Sequence, residues 1–335
     1  MKKKWLGLLF GLFVVFALAG CGEKSQEDVV GALNEKVGKL SGYKADAKMT
    51  LQTGSEPQEY DVQIWYKQPH YYRVNLKNAQ KEQSQMILRN DEGVFVLTPA
   101  LNKSFRFQSD WPKNSSQAYL YESLVKDILD DPDAKFTATK EHYVFETKTN
   151  YKNNKMLPKQ EITLNKKDLA PIMVKVMDPD QNALLTVEFS NVEFDASFDG
   201  DAFDMEKNMT GAQLEVPVMA GVSESPLAVM YPMETPGAEL VEEKEVKTED
   251  GTRVVMTFGG EKSFTLIQER SQVSPAGTTT SMSGEPVDLG FTVGALTENS
   301  ISWTFQGVDF MLASENLTQE EMISVARSVQ GQAIK

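Results

Sequence analysis

The sequence predicts a mainly β protein of the α+β class: a large curved antiparallel sheet or open barrel, followed by a smaller α+β unit. Three observations predict it. Apolar and polar residues alternate over many short segments between 45 and 107 and again between 143 and 194, the period of strands with one buried face. Beyond the N-terminal leader, few stretches carry the 3.6-residue spacing of a helix. Charge is also uneven. Residues 22–210 hold 24 Lys/Arg and 30 Asp/Glu, net −6, whereas residues 211–335 hold 7 and 18, net −11, so two units are expected.

The elements follow in order. Asp28 to Leu40 places Val29, Val30, Leu33, Val37 and Leu40 at helical spacing, and Gly42 stops it. Ala45, Ala47, Met49 and Leu51 then alternate with polar neighbours, as do Tyr60, Val62, Ile64 and Tyr66, and Tyr72, Val74 and Leu76. Residues 85–89, 93–98 and 103–107 continue the pattern, with turns at Gly54, Pro69, Asn90 to Gly93 and Pro99. Residues 117–130 return to helical spacing through Leu120, Leu124, Val125, Ile128 and Leu129, and Asp131, Pro132 and Asp133 end the helix. Strands resume at 143–147, 160–164, 171–177 and 184–194. Many meandering strands and few helices favour a curved sheet or open barrel.

Residues 208–226 carry two prolines and two glycines and read as a linker, although their apolar residues hint at packing. Past them, two hairpins are expected, 254–258 with 263–268 turned at Gly259-Gly260, and 301–305 with 308–312 turned at Gln306-Gly307. A last helix starts after Thr318, where Glu321 completes a capping box. The expected organisation is a leader over 1–20, a tether over 21–27, a first unit over 28–207, the linker, and a small acidic α+β unit over 227–335.

The leader is the most informative motif. Lys2, Lys3 and Lys4 precede an apolar run from Trp5 to Ala19, and Leu18-Ala19-Gly20-Cys21 closes it with the chain's single cysteine. This is the pattern of a bacterial lipoprotein signal peptide, and the run is short of the about 20 residues a membrane span needs. Residues 1–20 would be removed, and Cys21 would carry acyl chains of the palmitate type at the extracytoplasmic face of the cell membrane. Each buried methylene contributes about 0.8 kcal/mol, so several chains anchor stably. The polar tether that follows, Gly22 to Glu27, reaches at most about 20 Å. Loss of the three leader lysines takes net charge from −14 to −17, which argues against nucleic acid as a partner. With Cys21 acylated, no thiol remains for a disulfide, a metal or nucleophilic catalysis.

Little else points to chemistry. His70 and His142 lie far apart, with no ligand-spaced His, Cys or carboxylate beside either. No nucleophile elbow, phosphate loop or dinucleotide fingerprint is present. The acidic runs at 130–133 and at Asp195, Asp199, Asp201 and Asp204 lack calcium-loop spacing and read as a helix stop and a polar turn. No catalytic residue, metal or cofactor is therefore expected.

Aromatic residues crowd one third of the first unit: Trp65, Tyr66, His70, Tyr71, Tyr72, Phe95, Phe105, Phe107 and Trp111. They read either as core packing between sheet and helix or as the lining of an apolar cavity. Candidates for a cavity-facing set are Met49, Leu51, Ile64, Tyr66, Tyr72, Val74, Met86, Leu88 and Phe95. Alternation supplies the set within each strand but not which face is inward, and a one-residue slip inverts a strand. Arg73 reads as a surface or rim residue.

The stretch Trp65-Tyr66-Lys67-Gln68-Pro69-His70-Tyr71-Tyr72-Arg73-Val74 resembles the strand-Lys-x-Pro-x-x-aromatic-Arg segment of the LolA-like lipoprotein-carrier superfamily. Asn90-Asp91-Glu92-Gly93 with the following strand to Pro99 is similar to that family's Asp-Gly hairpin. Phe189 to Phe194 and Asp201-Ala202-Phe203 are similar to its closing strand and terminal phenylalanine. The resemblance spans about 28–205. It implies an incomplete antiparallel β-barrel whose open side is plugged by helices and whose apolar interior receives acyl chains. The periplasmic carrier can have Arg immediately before the proline; this chain has Gln68, so carrier-type lid closure is not expected.

The second unit, through Trp303 to Gly307 and Leu317 to Glu321, resembles a small domain of exported Gram-positive proteins. The whole arrangement resembles sporulation-associated lipoproteins of endospore-forming bacteria. The resemblance implies a non-enzymatic, membrane-anchored protein binding a lipid, acyl chain or lipidated partner in the barrel, with a protein partner at the acidic second unit, in envelope or spore assembly. The alternative it implies is an adaptor like the periplasmic RseB regulators, acting by protein contact without lipid cargo.

Overall fold

The structure is a computed structural model, and it describes residues 24–52, 57–78, 84–112, 115–152, 154–215, 227–249, 251–274 and 278–329. Cys21 and the leader lie outside the described residues, as do residues 216–226 of the expected linker.

Two β-meanders form one sheet. The first is β1 (Gly42–Leu51), β2 (Gln58–Lys67), β3 (Tyr71–Asn78), β4 (Ser84–Asn90), β5 (Gly93–Thr98) and β6 (Lys103–Phe107). The second is β7 (Lys135–Ala138), β8 (His142–Lys148), β9 (Lys159–Asn165), β10 (Pro171–Met177) and β11 (Ala183–Phe194). They join where β1 pairs antiparallel with β11, Met49 opposite Val187. The resulting 12-stranded sheet starts at a strand from the second half of the chain, β15 (Thr279–Ser281), parallel to β6, and ends at β7. It is an open sheet, as the strand pattern predicts, and it does not close into a barrel.

The inner face of this sheet carries two helices. Helix α1 (Gln26–Lys39) begins two residues before the expected start because Ser25 caps it. The Ser25 hydroxyl accepts from the Asp28 N–H at 3.2 Å while the Asp28 carboxylate accepts from the Ser25 N–H at 3.0 Å, a reciprocal box that satisfies two orphan donors. The expected tether over 21–27 is shortened accordingly. Helix α2 (Tyr121–Asp130) follows Leu120. Val29 and Leu33 of α1 and Leu124, Val125 and Ile128 of α2 pack with Ile64, Val74 and Val187 of the sheet.

A third helix, α3 (Met205–Glu215), stands where the first part of a linker is expected. Its apolar residues explain the difference: Met209 and Ala212 are buried against Met86, Leu88, Phe95 and Leu97 on the outer face.

The second sheet has seven strands in the order β12 (Ala238–Thr248), β13 (Gly251–Gly260), β14 (Phe264–Arg270), β19 (Val308–Ala313), β18 (Ser300–Phe305), β17 (Val293–Leu296) and β16 (Glu285–Asp288). Helix α4 (Gln319–Ser328) packs on it behind the predicted Thr318–Glu321 capping box. The β18–β19 turn falls at Gln306 and Gly307, both left-handed at φ 51° and 74°, as a two-residue hairpin demands. Gly259 and Gly260 are not a turn. They end β13, where a Cβ on Gly260 would stand 2.5 Å from the Gly237 carbonyl oxygen. Glycine here permits close strand approach.

Gly42 has a similar duty at the start of β1, since an added Cβ would meet the Tyr66 carbonyl oxygen at 2.6 Å and Phe198 at 3.0 Å. Gly42→Ala is expected to lower stability by about 1–3 kcal/mol, read as a shift in urea midpoint at constant slope. An unchanged midpoint would show that β1 and β2 part freely there.

Candidate functional site at the seam between the sheets

The nine predicted cavity residues do not share a face. Register places Ile64 opposite Val74, Val74 opposite Ile87, and Ile87 opposite Val96. Met49, Leu51, Ile64, Tyr66, Tyr72 and Val74 therefore belong to the inner face. Met86, Leu88 and Phe95 lie on the outer face, beneath α3 with Phe203. The correction has a physical cause. Met86-Ile87-Leu88 and Val94-Phe95-Val96-Leu97 are buried without interruption, because both faces of β4 and β5 are covered, and a strand buried on both sides loses the alternation that reports direction.

The aromatic crowd divides in the same way. Tyr66, Tyr72, Phe107 and Trp111 enter the inner core, while Trp65, Tyr71 and Phe95 belong to the outer cluster. Arg73 lies on the outer face, its guanidinium 4.3 Å from the Trp65 ring centroid and its Nε donating to Asn208 Oδ1 at 2.7 Å. The segment flanking Pro69 acts as a clamp between two hairpin ends. Tyr71 Oη donates to Asp91 at 2.5 Å, and His70 Nε2 lies 3.0 Å from the other Asp91 oxygen. These bonds hold the Asp91 carboxyl below its usual range. Gln68 is exposed and gives its backbone N–H to the Ser41 carbonyl.

The acidic runs are held by local partners. Lys148 bridges Asp131 and Asp133, Lys207 pairs with Asp201, and Asp195 accepts from Ser41. Among the described residues no group of three His, Cys, Asp or Glu gathers as metal ligands would.

The two ends of the inner face differ. At one end Tyr43, Tyr66, Tyr72, Tyr121 and Trp111 form a continuous aromatic tier with centroid spacings of 5.0–6.2 Å. Glu122 is set among them and accepts from Tyr43 Oη at 3.2 Å. Removal from water pushes its carboxyl up to about 8, against the weaker opposite pull of hydrogen bonds from its own backbone and Tyr43. At the other end the second unit plugs the sheet. Phe291 packs edge-on to Phe305 at 4.4 Å and shares a small cavity wall with Tyr60 and Leu76 of the first unit. Gly290, at φ 87°, lies so close to Leu51 that a Cβ would be 3.0 Å from it. Val293 donates its N–H to Gln85 at 3.2 Å. One apolar core consequently runs through both sheets.

Beside this plug lies a pocket of about 310 Å³, at the lower end of the roughly 300–1,000 Å³ of ligand sites. Its walls come from β1, the β8–β9 loop, β11, the plug and α4. Leu51 is the one predicted cavity residue that lines it. Tyr151, 4% exposed, and Arg327 of α4 line it too, and neither the Tyr151 hydroxyl nor the Arg327 Nε donates to an acceptor. Arg327 Nη2 donates to the Asp288 backbone carbonyl at 2.8 Å. Burial lowers the pKa of this guanidinium, against the raising effect of the nearby Asp288 charge. Burial likewise raises the Asp288 carboxyl, which accepts from the Gly290 N–H at 2.6 Å and faces Tyr119 Oη at 3.3 Å.

Sequence reasoning missed this site because its parts are up to 277 positions apart, from Leu51 to Ser328. One signal was available: Arg327 is the single charge within the apolar run Met322 to Val329.

A family model described as "Sporulation protein YdcC-like" matches residues 1–203. The Bacillus subtilis (strain 168) protein "Sporulation protein YdcC" is 57% identical over 336 residues, covering 100% of this chain and 99% of that one. Structural resemblances are more distant. The Pseudomonas aeruginosa MucA/MucB complex matches at 11% identity and TM-score 0.32, over 89% of this chain and 97% of that one. The Clostridioides difficile CwlD amidase–GerS lipoprotein complex matches at 17% and 0.31, over 53% and 99%. A LolA superfamily protein from Nitrosomonas europaea matches at 11% and 0.30, over 53% and 98%. The full-length match and the family model together make this chain a member of the YdcC-like sporulation protein family.

Proposed function

We propose that this chain is a lipid-anchored, extracytoplasmic adaptor of the sporulating cell, non-enzymatic and acting by protein contact. One observation carries the reading: the inner face, where a carrier would hold acyl cargo, is filled by the chain's own helices and plug. Met49, Ile64 and Val74 are each 0% exposed, and the second unit closes one end of the sheet. A filled interior favours the adaptor over the cargo carrier. The leader motif ending at Cys21 supports the anchor. Along the exposed edge strand β12, Glu239, Glu242, Glu243 and Glu245 favour a partner with a basic face.

The test uses the full chain in its own membrane. Cys21→Ser is expected to abolish metabolic labelling by a palmitate analogue and to release the chain from the membrane pellet. A photoreactive acyl probe is expected to leave Ile64 and Val74 unlabelled. Saturable labelling of those two residues would replace the adaptor by a carrier, and an undiminished membrane fraction for Cys21→Ser would remove the anchor.

A further inference from the structure

The seam pocket contains two unused hydrogen-bond donors that the adaptor reading does not employ. Leu51, Met156, Leu157, Leu184, Leu185 and Leu289 form its apolar walls, beside the polar Gln52, Glu234 and Asp288. Into this setting the fold brings a guanidinium whose buried Nε donates to nothing, although the charges of Asp288 and Glu234, which also line the pocket, act on it through space. The phenol of Tyr151 is a second unused donor at the same pocket, its ring 5.9 Å from the guanidinium carbon.

Leaving a buried donor unmade costs about 1–3 kcal/mol, and more when the donor is charged. The neighbouring acids Asp288 and Glu234 offset part of the charge but give Nε no acceptor. Asp288 meets Arg327 through its backbone carbonyl while its carboxylate takes the Gly290 N–H. Glu234, exposed at the rim, accepts from Ser324 Oγ at 2.7 Å. Arg327 also sits in the last turn of α4, where a cation is favoured by the helix dipole but Nε still lacks an acceptor.

We propose that the seam pocket binds a small amphiphile, an apolar chain of medium length ending in a carboxylate. Arg327 and Tyr151 receive the carboxylate, and the leucine walls take the chain. The head supplies the two missing acceptors at once, and the tail fits a volume too small for a multiply acylated anchor. The site adjoins the inner face at Leu51 and lies at its plugged end. It uses the wall formed where the two units meet, so occupancy bears on the docking of the second unit against the first.

Equilibrium dialysis of radiolabelled decanoate against the full chain in phospholipid nanodiscs, with empty nanodiscs as blank, tests this directly. Saturable binding of one decanoate per chain is expected, with decanol bound more weakly and decyltrimethylammonium not at all. Arg327→Met is expected to weaken decanoate by about 10- to 100-fold while leaving decanol unchanged. Tyr151→Phe keeps the shape of the wall and is expected to weaken decanoate by a few-fold. Leu185→Trp fills the pocket and is expected to abolish both ligands. Equal affinity for decanoate and decanol, or wild-type decanoate binding in both Arg327→Met and Tyr151→Phe, would overturn the assignment. These outcomes leave the adaptor reading untouched, because it rests on the inner face and on partner contact.

Discussion

Replacing Phe291 by alanine is expected to cost about 3–5 kcal/mol, the range for deleting a buried phenylalanine. This side chain is 3% exposed and packs edge-on to Phe305 of the second sheet. It also shares a wall with Tyr60 and Leu76 of the first. Its loss therefore removes transfer energy and opens a void at the place where the two units are welded. Urea unfolding of the full chain measures the effect, with Val241→Ala, at a residue 65% exposed, as a control expected to stay within about 0.5 kcal/mol. A loss below 1 kcal/mol for Phe291→Ala would mean that the plug is a loose contact and that the units are held elsewhere. The result also bears on function, because a firmly seated plug closes one end of the inner face.

Glutamine at position 122 is expected to abolish much of the protein's pH dependence between pH 5 and 9. Burial raises the Glu122 carboxyl to about 8, so between about 4.5 and 8 the folded chain keeps a proton that the unfolded chain releases. Its contribution is largest below about 4.5 and is lost as pH rises through 8. A tenfold change in proton affinity between the folded and unfolded chain is worth about 1.4 kcal/mol. The side chain keeps some contact with solvent, which reduces the full figure to roughly 2–4 kcal/mol. Glu122→Gln retains an acceptor for Tyr43 Oη and needs no proton. The variant is expected to be more stable than the wild type at pH 9 and to differ little at pH 5. Parallel stability–pH curves for the two proteins would show that Glu122 ionises freely in the folded state.

Much of the fold was legible because each local signal agreed with the global one. The strands β1 to β3 alternate strictly, and Met49, Ile64 and Val74 share one face. Pro171–Met177 appears as a strand with the expected bounds. The Thr318–Glu321 box and the Gln306-Gly307 turn were readable because capping and left-handed φ impose residue types directly. Illegibility begins where tertiary contact overrides local pattern. Helix α3 was hidden in a segment that reads as a linker, and its reason for being helical is the outer-face cluster of Met86, Leu88, Phe95 and Leu97 that it covers. That covering also erased the directional signal in β4 and β5. Strand β15 was unreadable because three residues pair with β6 across 175 positions of sequence.

By itself the sequence determined the leader ending at Cys21 as a candidate anchor, the open antiparallel sheet, the acidic second half and the lack of recognisable catalytic machinery. Those are consequences of composition, period and short motifs, which act over a few residues. Only the tertiary structure decided that the inner face carries the chain's own helices, that the second unit plugs one end of it, and that Arg327 Nε and Tyr151 Oη face one pocket with no acceptor for either. Each of these depends on which distant surfaces exclude water from one another, and burial of that kind is a property of the assembled chain and not of any segment within it.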